Sequence, residues 1–316
     1  MNLSDLKVYS PSDFPAYLPK LNRLYDDLFS GGKGFRSKLI QLFGDQLDIP
    51  TEGQRLLAQT VEFIHNASLL HDDLIDRSHL RRNKTTAWLK FTPEYAVLAG
   101  DYLLARVMVN LSKHGNIHLV QYTSEIIGEL LEGEWIQDSL IRDWDVSLEQ
   151  LDRVHCLKTA SLFKWCFRAP FIYKENYDEG LHADLNQMGI ILGQLFQRSD
   201  DLLDFDIRNG EGKAILGDLK SGYLNSFAAF LSGRLNAEQK KNFIQSQSMD
   251  DVWNAVGKES FKKHLDEFDS LNEELIAHYL HICEGLEKKD PKVFGELAVN
   301  LKKLPELLYW RNNAKK

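Results

Sequence analysis

The chain has 316 residues, of which 43% are hydrophobic and 27% are charged, with 20 Gly, 8 Pro and a formal net charge of −8. This composition excludes collagen-like and disordered chains, because enough apolar surface is present for a large core. The negative charge excludes a general basic surface, so we expect no nucleic-acid partner. The three cysteines have no Cys-x-x-Cys spacing, which argues against a disulfide framework or a zinc site.

The sequence predicts neither a membrane span nor a domain boundary. It contains no stretch of about 18 uncharged apolar residues, and its first residues lack a basic segment followed by an apolar run. We therefore expect no transmembrane segment and a cytoplasmic location. No linker rich in Pro, Gly or Ser divides the chain, which favours a single domain over residues 1–316.

Apolar residues recur with helical spacing along almost the whole chain. Leu18, Leu21 and Leu24 follow each other at three-residue steps within residues 14–29, as on the apolar face of a helix. Comparable stripes recur over residues 35–48, 53–75, 94–113, 117–138, 148–168, 180–206, 224–232, 236–246, 257–283 and 292–311. No Asn-Gly or Asp-Gly signal separates alternating apolar runs. The pattern predicts an all-α chain of about ten to twelve helices.

Two Asp-Asp-x-x-Asp motifs lie within these apolar stripes. The first motif consists of Asp72, Asp73 and Asp76, and the second motif consists of Asp200, Asp201 and Asp204. On an α-helix the first and third carboxylates of such a motif share one face, with Cβ atoms about 5–6 Å apart. These carboxylates repel each other unless a cation lies between them, and oxygen-only ligands favour Mg²⁺ or Ca²⁺ over zinc.

The alternative interpretation of each motif is a solvated acidic helix face. One such motif is expected by chance in about one of six chains of this composition, but two are expected in only about one of a hundred. The apolar residues before both motifs also argue against a solvated face. The pair therefore favours a metal site.

Basic residues near the two motifs are candidates for binding phosphate groups. They are Lys33, Arg36, Arg81, Arg82, Lys158 and Lys213. Lys33 and Arg36 follow a Gly-Gly turn at a predicted helix start, where backbone N–H groups also favour anions. Lys158 lies in an otherwise apolar helix, where a lysine usually needs a partner or a ligand.

Seven motifs in order resemble those of the trans-isoprenyl diphosphate synthases, of the type that makes geranylgeranyl or longer chains. They are Gly31-Gly-Lys-x-x-Arg36, His65-Asn-Ala-Ser-Leu-Leu-His-Asp-Asp-Leu-Ile-Asp76, Arg81-Arg82, Ala99-Gly-Asp-Tyr-Leu-Leu-Ala105, Lys158-Thr-Ala-Ser-Leu-Phe163, Phe196-Gln-x-x-Asp-Asp-x-x-Asp204 and Gly212-Lys-x-x-x-Gly-Asp-Leu219. Residues 228–316 contribute a helical pattern but no recognisable motif.

The resemblance implies an isoprenoid synthase fold, in which helices surround a deep apolar cavity and the two Asp motifs face each other at its mouth. It also implies a homodimer that condenses isopentenyl diphosphate with an allylic diphosphate and releases pyrophosphate. About three Mg²⁺ ions would neutralise the diphosphate while its bond to carbon breaks. The resulting allylic cation would be attacked by the double bond of isopentenyl diphosphate.

The resemblance assigns roles residue by residue. Asp72, Asp76 and Asp200 would be the principal metal ligands, with Asp73, Asp201 and Asp204 binding directly or through water. Lys158, Lys213 and Arg81 would hold the allylic diphosphate, and Lys33, Arg36, His65 and Arg82 would hold isopentenyl diphosphate. The carbonyl near Lys158, the hydroxyl of Thr159 and the amide of Gln197 would stabilise the allylic cation.

Product length in this family depends on what blocks the cavity below the first Asp motif. Ala67 and Ser68 lie one helical turn before Asp72, where short-chain enzymes tend to carry aromatic residues. These small side chains predict a product of about twenty carbons or longer.

Two other functions fit parts of the sequence. A class I terpene cyclase would need no second substrate, but such enzymes usually replace the second Asp motif, which is intact here. Tyr223 and Asn225 stand where a Gly-Lys-x-Thr element is expected, and the change at Tyr223 suggests a regulatory subunit of a hetero-oligomeric synthase. Such subunits commonly lose Asp motifs, so the synthase is the favoured interpretation.

Overall fold

The protein was analysed as a computed structural model that describes residues 8–10, 13–29, 34–81, 84–205 and 215–310. Nearly all regular structure in these ranges is helical, which confirms the predicted all-α class. The α-helices of this part of the chain are α1 (Pro19–Phe29), α2 (Phe35–Gln46), α3 (Thr51–Ile75), α4 (Ala87–Lys90), α5 (Pro93–His114), α6 (Ile117–Ser139), α7 (Leu148–Lys158), α8 (Ala160–Tyr173), α9 (Glu179–Asp201), α10 (Gly217–Ser221), α11 (Ser226–Ser232), α12 (Ala237–Ile244), α13 (Met249–Val256), α14 (Lys258–Lys289), α15 (Pro291–Leu301) and α16 (Leu304–Tyr309).

Other regular elements are short. A 3₁₀ helix, Leu202–Phe205, follows α9, and β1 (Leu80–Arg81) pairs antiparallel with β2 (Lys84–Thr85). The described ranges contain sixteen α-helices rather than the predicted ten to twelve, because several are only one or two turns long. The stripe over residues 148–168 is also divided at Thr159, which separates α7 from α8.

Helix ends follow the local turn chemistry. The hydroxyl of Thr92 accepts the N–H of Tyr95 at the start of α5, and Pro93 occupies the first helical position. Gly115 ends the same helix with a φ of 88°, a conformation that glycine adopts without a steric penalty. These signals are local, so the sequence placed both ends of this helix correctly.

The chain packs as two compact units. The first contains Met1–Ile127 and Trp165–His182, and the second contains Gly128–Lys164 and Ala183–Lys316. A single domain over residues 1–316 remains a prediction. None of the helices in the described part of the chain has the length and apolar character needed to span a membrane.

In the first unit, α3 packs against α2 and α5. The ring of Phe14 lies 4.1 Å from that of Tyr25 and 5.7 Å from that of Phe63, measured between centroids. The buried hydroxyl of Tyr25 donates to the carbonyl of Ala99 at 3.1 Å. This packing fixes α3, which carries the first Asp motif.

In the second unit, phenylalanine rings surround the 3₁₀ helix that follows α9. The ring of Phe205 lies 5.1 Å from that of Phe227 and 6.1 Å from that of Phe261. Phe227 in turn contacts Phe268 of α14 at 5.4 Å. Residues of the C-terminal third of the chain therefore form much of the core around the end of the second Asp motif.

Candidate functional site

The first Asp motif lies at the end of α3, as predicted. Asp72 is half-buried, and Asp76 is the exposed C-cap residue with nearly helical backbone angles. The N–H of Asp76 donates to the carbonyl of Asp72 at 2.8 Å, so the two side chains lie one turn apart on the same side of the helix. This pair has the arrangement that the sequence predicted for two metal ligands.

Asp73 is held by a neighbouring cation. Its side chain is buried, and its Oδ1 accepts the Nε–H of Arg81 at 2.7 Å. Burial raises the pKa of the Asp73 carboxyl, and the charge and hydrogen bond of Arg81 oppose that rise. The β1–β2 hairpin carries Arg81, so this short element brings a cation back to the first motif.

A glycine in α5 allows α3 to approach closely beside the motif. A Cβ atom on Gly100 would lie 2.3 Å from Nε2 of His71, so a larger residue there would displace the imidazole ring. The His71 ring lies 3.4 Å from Oδ1 of Asp101 and 3.3 Å from the carbonyl oxygen of Val97. The segment around Gly100 thus orients the residue next to Asp72.

The start of α2 is anchored on α3. Gly34 precedes the helix with a φ of 58°, a left-handed conformation that strains other residues. The hydroxyl of Ser37 donates to Oε1 of Glu62 at 2.7 Å. This contact places Arg36 beside the turn of α3 that leads to His65, and both are candidates for binding isopentenyl diphosphate.

The predicted chain-length residues lie deeper in α3. Ala67 is fully buried and Ser68 is half-buried. The hydroxyl of Ser68 donates back to the carbonyl of His65 at 2.9 Å. Neither side chain adds bulk one turn before Asp72.

The second Asp motif does not keep a single helical face, and here the sequence prediction was wrong. Asp200 and Asp201 end α9, whereas Asp204 lies in the 3₁₀ helix. Asp200 is half-buried, but Asp201 and Asp204 are buried. Because the backbone changes from α to 3₁₀ geometry between them, Asp200 and Asp204 are not related by a regular α-helical turn.

Asp204 holds the segment that leads into α10. Its Oδ1 accepts the N–H of Gly217 at 2.6 Å, and both carboxylate oxygens lie 3.3 Å from the N–H of Asp218. The carbonyl of Asp204 also accepts the N–H of Leu216 at 2.7 Å. This carboxylate therefore organises the backbone, and its role as a metal ligand stays a prediction.

Asp201 connects the motif to the predicted cation-stabilising residues. The hydroxyl of Thr159 donates to Oε1 of Gln197 at 3.1 Å, and Nε2 of Gln197 donates to Oδ1 of Asp201 at 2.9 Å. The second oxygen of Asp201 accepts the N–H of Ser226 at 2.9 Å. The sequence predicted Thr159 and Gln197 as partners in one site, and the structure brings them together.

Lys158 is paired with Glu134 of α6 in an ion pair between partly buried side chains. A Cβ atom on Gly133 would lie 3.0 Å from the backbone nitrogen of Lys158, so the glycine permits the close approach of α6 and α7. Sequence reasoning assigned no role to Glu134, and the only signal for one was an acidic residue beside a glycine in an apolar stripe.

Close packing of α8 against α9 supports the same site. A Cβ atom on Gly193 would lie 2.4 Å from Cα of Ala160. Ala160 follows Thr159, and Gly193 lies one helical turn before Gln197. The glycine therefore allows the backbone distance that the hydrogen bond between Thr159 and Gln197 requires.

Asn225 replaces the threonine that the family resemblance leads one to expect, and it has a defined role. Its Nδ2 donates to Oδ2 of Asp218 at 3.0 Å and to the carbonyl of Asp201 at 3.2 Å, and its Oδ1 accepts the N–H of Ala228. Tyr223, in place of the expected lysine, is half-buried, and its N–H donates to the carbonyl of Asp218. The loop is ordered without the expected Lys-x-Thr element.

His155 lies between two carboxylates of the second unit. Its Nε2 is 3.9 Å from Oδ2 of Asp201, and its Nδ1 is 3.9 Å from Oδ1 of Asp152. Burial lowers the pKa of His155 to about 4, and the charge of Asp152 opposes this shift. The imidazole is therefore neutral at pH 7.

Three predicted phosphate-binding residues, Lys33, Arg82 and Lys213, lie outside the described residues. Within the described ranges, no three His, Cys, Asp or Glu side chains lie close enough together to hold a metal ion. Asp72 and Asp200 are half-buried and Asp76 is exposed, and carboxylates are oxygen donors of the type that Mg²⁺ accepts.

Comparison with known proteins identifies one family. The sequence model described as polyprenyl synthetase matches residues 18–263. An octaprenyl diphosphate synthase of Escherichia coli (strain K12) is 34% identical over 205 residues, which cover 64% of this chain and 63% of that protein. A prenyl transferase of Synechocystis sp. is 31% identical over 274 residues and 84% of each chain.

The solved structure of a polyprenyl synthase from Caulobacter crescentus CB15, complexed with calcium and isoprenyl diphosphate, has a TM-score of 0.78 to this chain at 24% identity. The comparison covers 96% of this chain and 92% of that chain, and it confirms the fold. The matches to several curated relatives span only about six-tenths of their length, from 59% to 63%.

Proposed function

Because the chain belongs to the polyprenyl synthetase family, we propose that it condenses isopentenyl diphosphate with an allylic diphosphate to form a longer trans-prenyl diphosphate. The observation that carries this proposal is the arrangement of Thr159, Gln197 and Asp201, which joins a hydroxyl, an amide and a motif carboxylate by direct hydrogen bonds. The curated relatives named as octaprenyl, decaprenyl and solanesyl synthases support a product of about twenty carbons or longer.

The proposed cofactor is Mg²⁺, with about three ions carried over from the family resemblance. Asp72, Asp76 and Asp200 would hold it, because each is an accessible oxygen donor. Mg²⁺ commonly binds one or two protein carboxylates and completes its shell with water and substrate phosphate, so a preformed set of three ligands is not required. When bound, it would neutralise the diphosphate as the carbon–oxygen bond breaks.

Arg81 and Lys158 would hold the allylic diphosphate. Each is already paired with a carboxylate, Asp73 for Arg81 and Glu134 for Lys158. Such pairing restricts a long side chain before the substrate arrives, so less conformational entropy is lost on binding. The cations then lie ready to stabilise the negative charge that develops on the leaving group.

Thr159 and Gln197 would face the allylic cation. The hydroxyl hydrogen of Thr159 points to Gln197, which leaves its oxygen lone pairs as acceptors. The amide of Gln197 is oriented by Asp201. Fixed dipoles of this kind stabilise a carbocation without reacting with it as a nucleophile would. The departing pyrophosphate would remove the proton, so no side chain needs to act as a general base.

Arg36 and His65 would bind isopentenyl diphosphate, together with Lys33 and Arg82, and Lys213 would bind the allylic diphosphate. The contact between Ser37 and Glu62 supports the first part of this assignment, because it brings the start of α2 to α3. The small side chains of Ala67 and Ser68 support the proposed chain length.

We propose a homodimer located in the cytoplasm. Two large apolar side chains on one face of α6 support the assembly, since Leu131 is 53% exposed and Trp135 is 77% exposed. A contiguous exposed apolar patch is typical of a surface that is covered by a partner. Light scattering of the parent and of Trp135→Glu measures the assembly, and a monomeric parent would contradict it.

The proposed reaction is tested with Mg²⁺, labelled isopentenyl diphosphate and, separately, dimethylallyl, geranyl and farnesyl diphosphate, followed by mass analysis. We expect a ladder of products that reaches about twenty carbons or more. Asp72→Ala and Asp200→Ala should abolish turnover with the fold retained, whereas Asp266→Ala, at an exposed position of α14, should not. A cyclised hydrocarbon formed without isopentenyl diphosphate, or full activity of both variants, would refute the proposal.

A further inference from the structure

Arg198 is a buried cation directly before the second Asp motif, and the proposed reaction gives it no role. Only 5% of the residue is exposed. Its Nη2 donates to both oxygens of Asp152, at 2.8 and 2.7 Å, and its Nε lies 3.3 Å from Oδ1 of the same carboxylate. This bidentate contact offsets the cost of burying the guanidinium group and fixes the orientation of the Arg198 side chain. Arg198 therefore ties α9 to α7, the helix that ends at Lys158.

The remaining nitrogen of the guanidinium group, Nη1, contacts α14. It donates to Oδ1 of Asn272 at 2.9 Å. Asn272 is fully buried, and its Nδ2 donates to the hydroxyl of Tyr309 at 2.9 Å and to the carbonyl of Phe268 at 2.6 Å. The amide oxygen of Asn272 accepts and its amide nitrogen donates, so a flipped amide would break these hydrogen bonds and the side chain has one orientation.

The series ends on α16, the last described helix. The hydroxyl of Tyr309 donates to Oδ1 of Asp269 at 2.5 Å. The carbonyl of Tyr309 accepts the hydroxyl of Ser199, which is completely buried, at 2.8 Å. Tyr309 is therefore linked to α9 twice, once through Asn272 to Arg198 and once directly to Ser199.

Arg198 and Ser199 are the two residues that precede Asp200. Their contacts hold two consecutive residues in the last turn of α9 to α7, α14 and α16, so a rotation of this helix end would break all of them. A displacement of about 1 Å in a catalytic group costs about a hundredfold in rate, and Asp200 is the accessible carboxylate of this motif.

We propose that Arg198, Asn272 and Tyr309 are positioning residues that set the direction of the Asp200 carboxylate. The inference rests on the proposed function, in which Asp200 takes part in metal-dependent binding of a diphosphate. It also gives a function to the C-terminal third of the chain, where the sequence shows no motif.

The test is the binding of inorganic pyrophosphate in the presence of Mg²⁺, measured by calorimetry on the full chain. Tyr309→Phe removes the hydroxyl that accepts from Asn272 and donates to Asp269, and we expect pyrophosphate binding weaker by about three- to tenfold, because only part of the energy of these two contacts is transmitted to Asp200. The matched control is Tyr279→Phe, which makes the same change at a fully buried position of α14 outside this network. Its pyrophosphate affinity should equal that of the parent.

A second variant, Arg198→Lys, keeps the positive charge and loses the bidentate contact with Asp152. It should also weaken pyrophosphate binding, and it decides the question if Tyr309→Phe does not fold. Parent-like affinity in the folded variants would show that the network has only a structural role and would overturn the inference. If the parent itself neither binds pyrophosphate with Mg²⁺ nor turns over, the proposed function fails and this inference fails with it.

Discussion

The buried carboxylate of Asp204 allows the metal-binding and structural roles of the second motif to be separated experimentally. In Asp204→Asn, one carboxylate oxygen becomes an NH₂ group. In the parent protein, the two carboxylate oxygens of Asp204 accept the N–H groups of Gly217 and Asp218 at 2.6 to 3.3 Å. An amide keeps one acceptor but loses the negative charge, and its NH₂ group faces a backbone donor.

The magnitude follows from these contacts. A hydrogen bond to a charged group contributes about 1.5–3 kcal/mol, and a buried donor left without an acceptor costs about 1–3 kcal/mol. Because the amide oxygen still accepts the shortest bond, we expect the free energy of unfolding to fall by about 2–3 kcal/mol. For a chain of this size the melting temperature should fall by about 3–5 °C.

The assay is thermal unfolding followed by circular dichroism in EDTA, so that no divalent cation contributes. Asp200→Asn is the matched control, because the same chemical change is made at a half-buried carboxylate four residues earlier. It should change the free energy of unfolding by less than about 0.5 kcal/mol while it abolishes prenyl transfer. If Asp204→Asn melts with the parent in EDTA, the carboxylate does not hold the loop and our reasoning is wrong.

Three further predictions concern packing, pH and thiol reactivity. Gly193→Ala should destabilise the protein by about 1–3 kcal/mol through overpacking, whereas Gly295→Ala, where a Cβ meets nothing within 4 Å, should stabilise its helix by about 0.5–1 kcal/mol; urea denaturation distinguishes the two signs. Burial lowers the pKa of His155 to about 4, so the unfolded chain binds its proton first, and about 3 kcal/mol of stability should be lost as pH falls from about 6.5 to 4. His155→Gln should flatten this decline in the free energy of unfolding, and an unchanged slope with pH would show that His155 does not cause it. Burial raises the pKa of the Cys166 thiol, so this thiol should react with Ellman's reagent only after unfolding, as peptide mapping of the labelled protein would show.

Features that depend on local chemistry were predictable from the sequence. The first Asp motif and the ends of α5 follow from apolar periodicity and capping residues, whereas the break at Thr159 was not predicted. Asp72 and Asp76 were expected on one face of α3, and the structure places them there. For these residues the neighbours that matter lie within one or two helical turns.

Features that depend on distant residues were not predictable. Asp204 leaves the α-helical face because the backbone tightens into a 3₁₀ helix where Phe205 packs against Phe227. Nothing near Arg198 in the sequence identifies its partner Asp152, which lies 46 residues away. Periodicity predicts that a position is buried, but it does not show which polar group compensates a buried charge.

The direct hydrogen bond between Ser199 and Tyr309 joins residues that are 110 positions apart. During synthesis, the segment around Ser199 leaves the ribosome well before α16 exists, so this contact cannot form until Tyr309 has emerged as well. Closing so long a loop is slow compared with forming helices from neighbouring residues. The second motif thus waits for a residue made 110 positions later, and a nascent chain that stalls before Tyr309 would carry the aspartates without the contact that orders them.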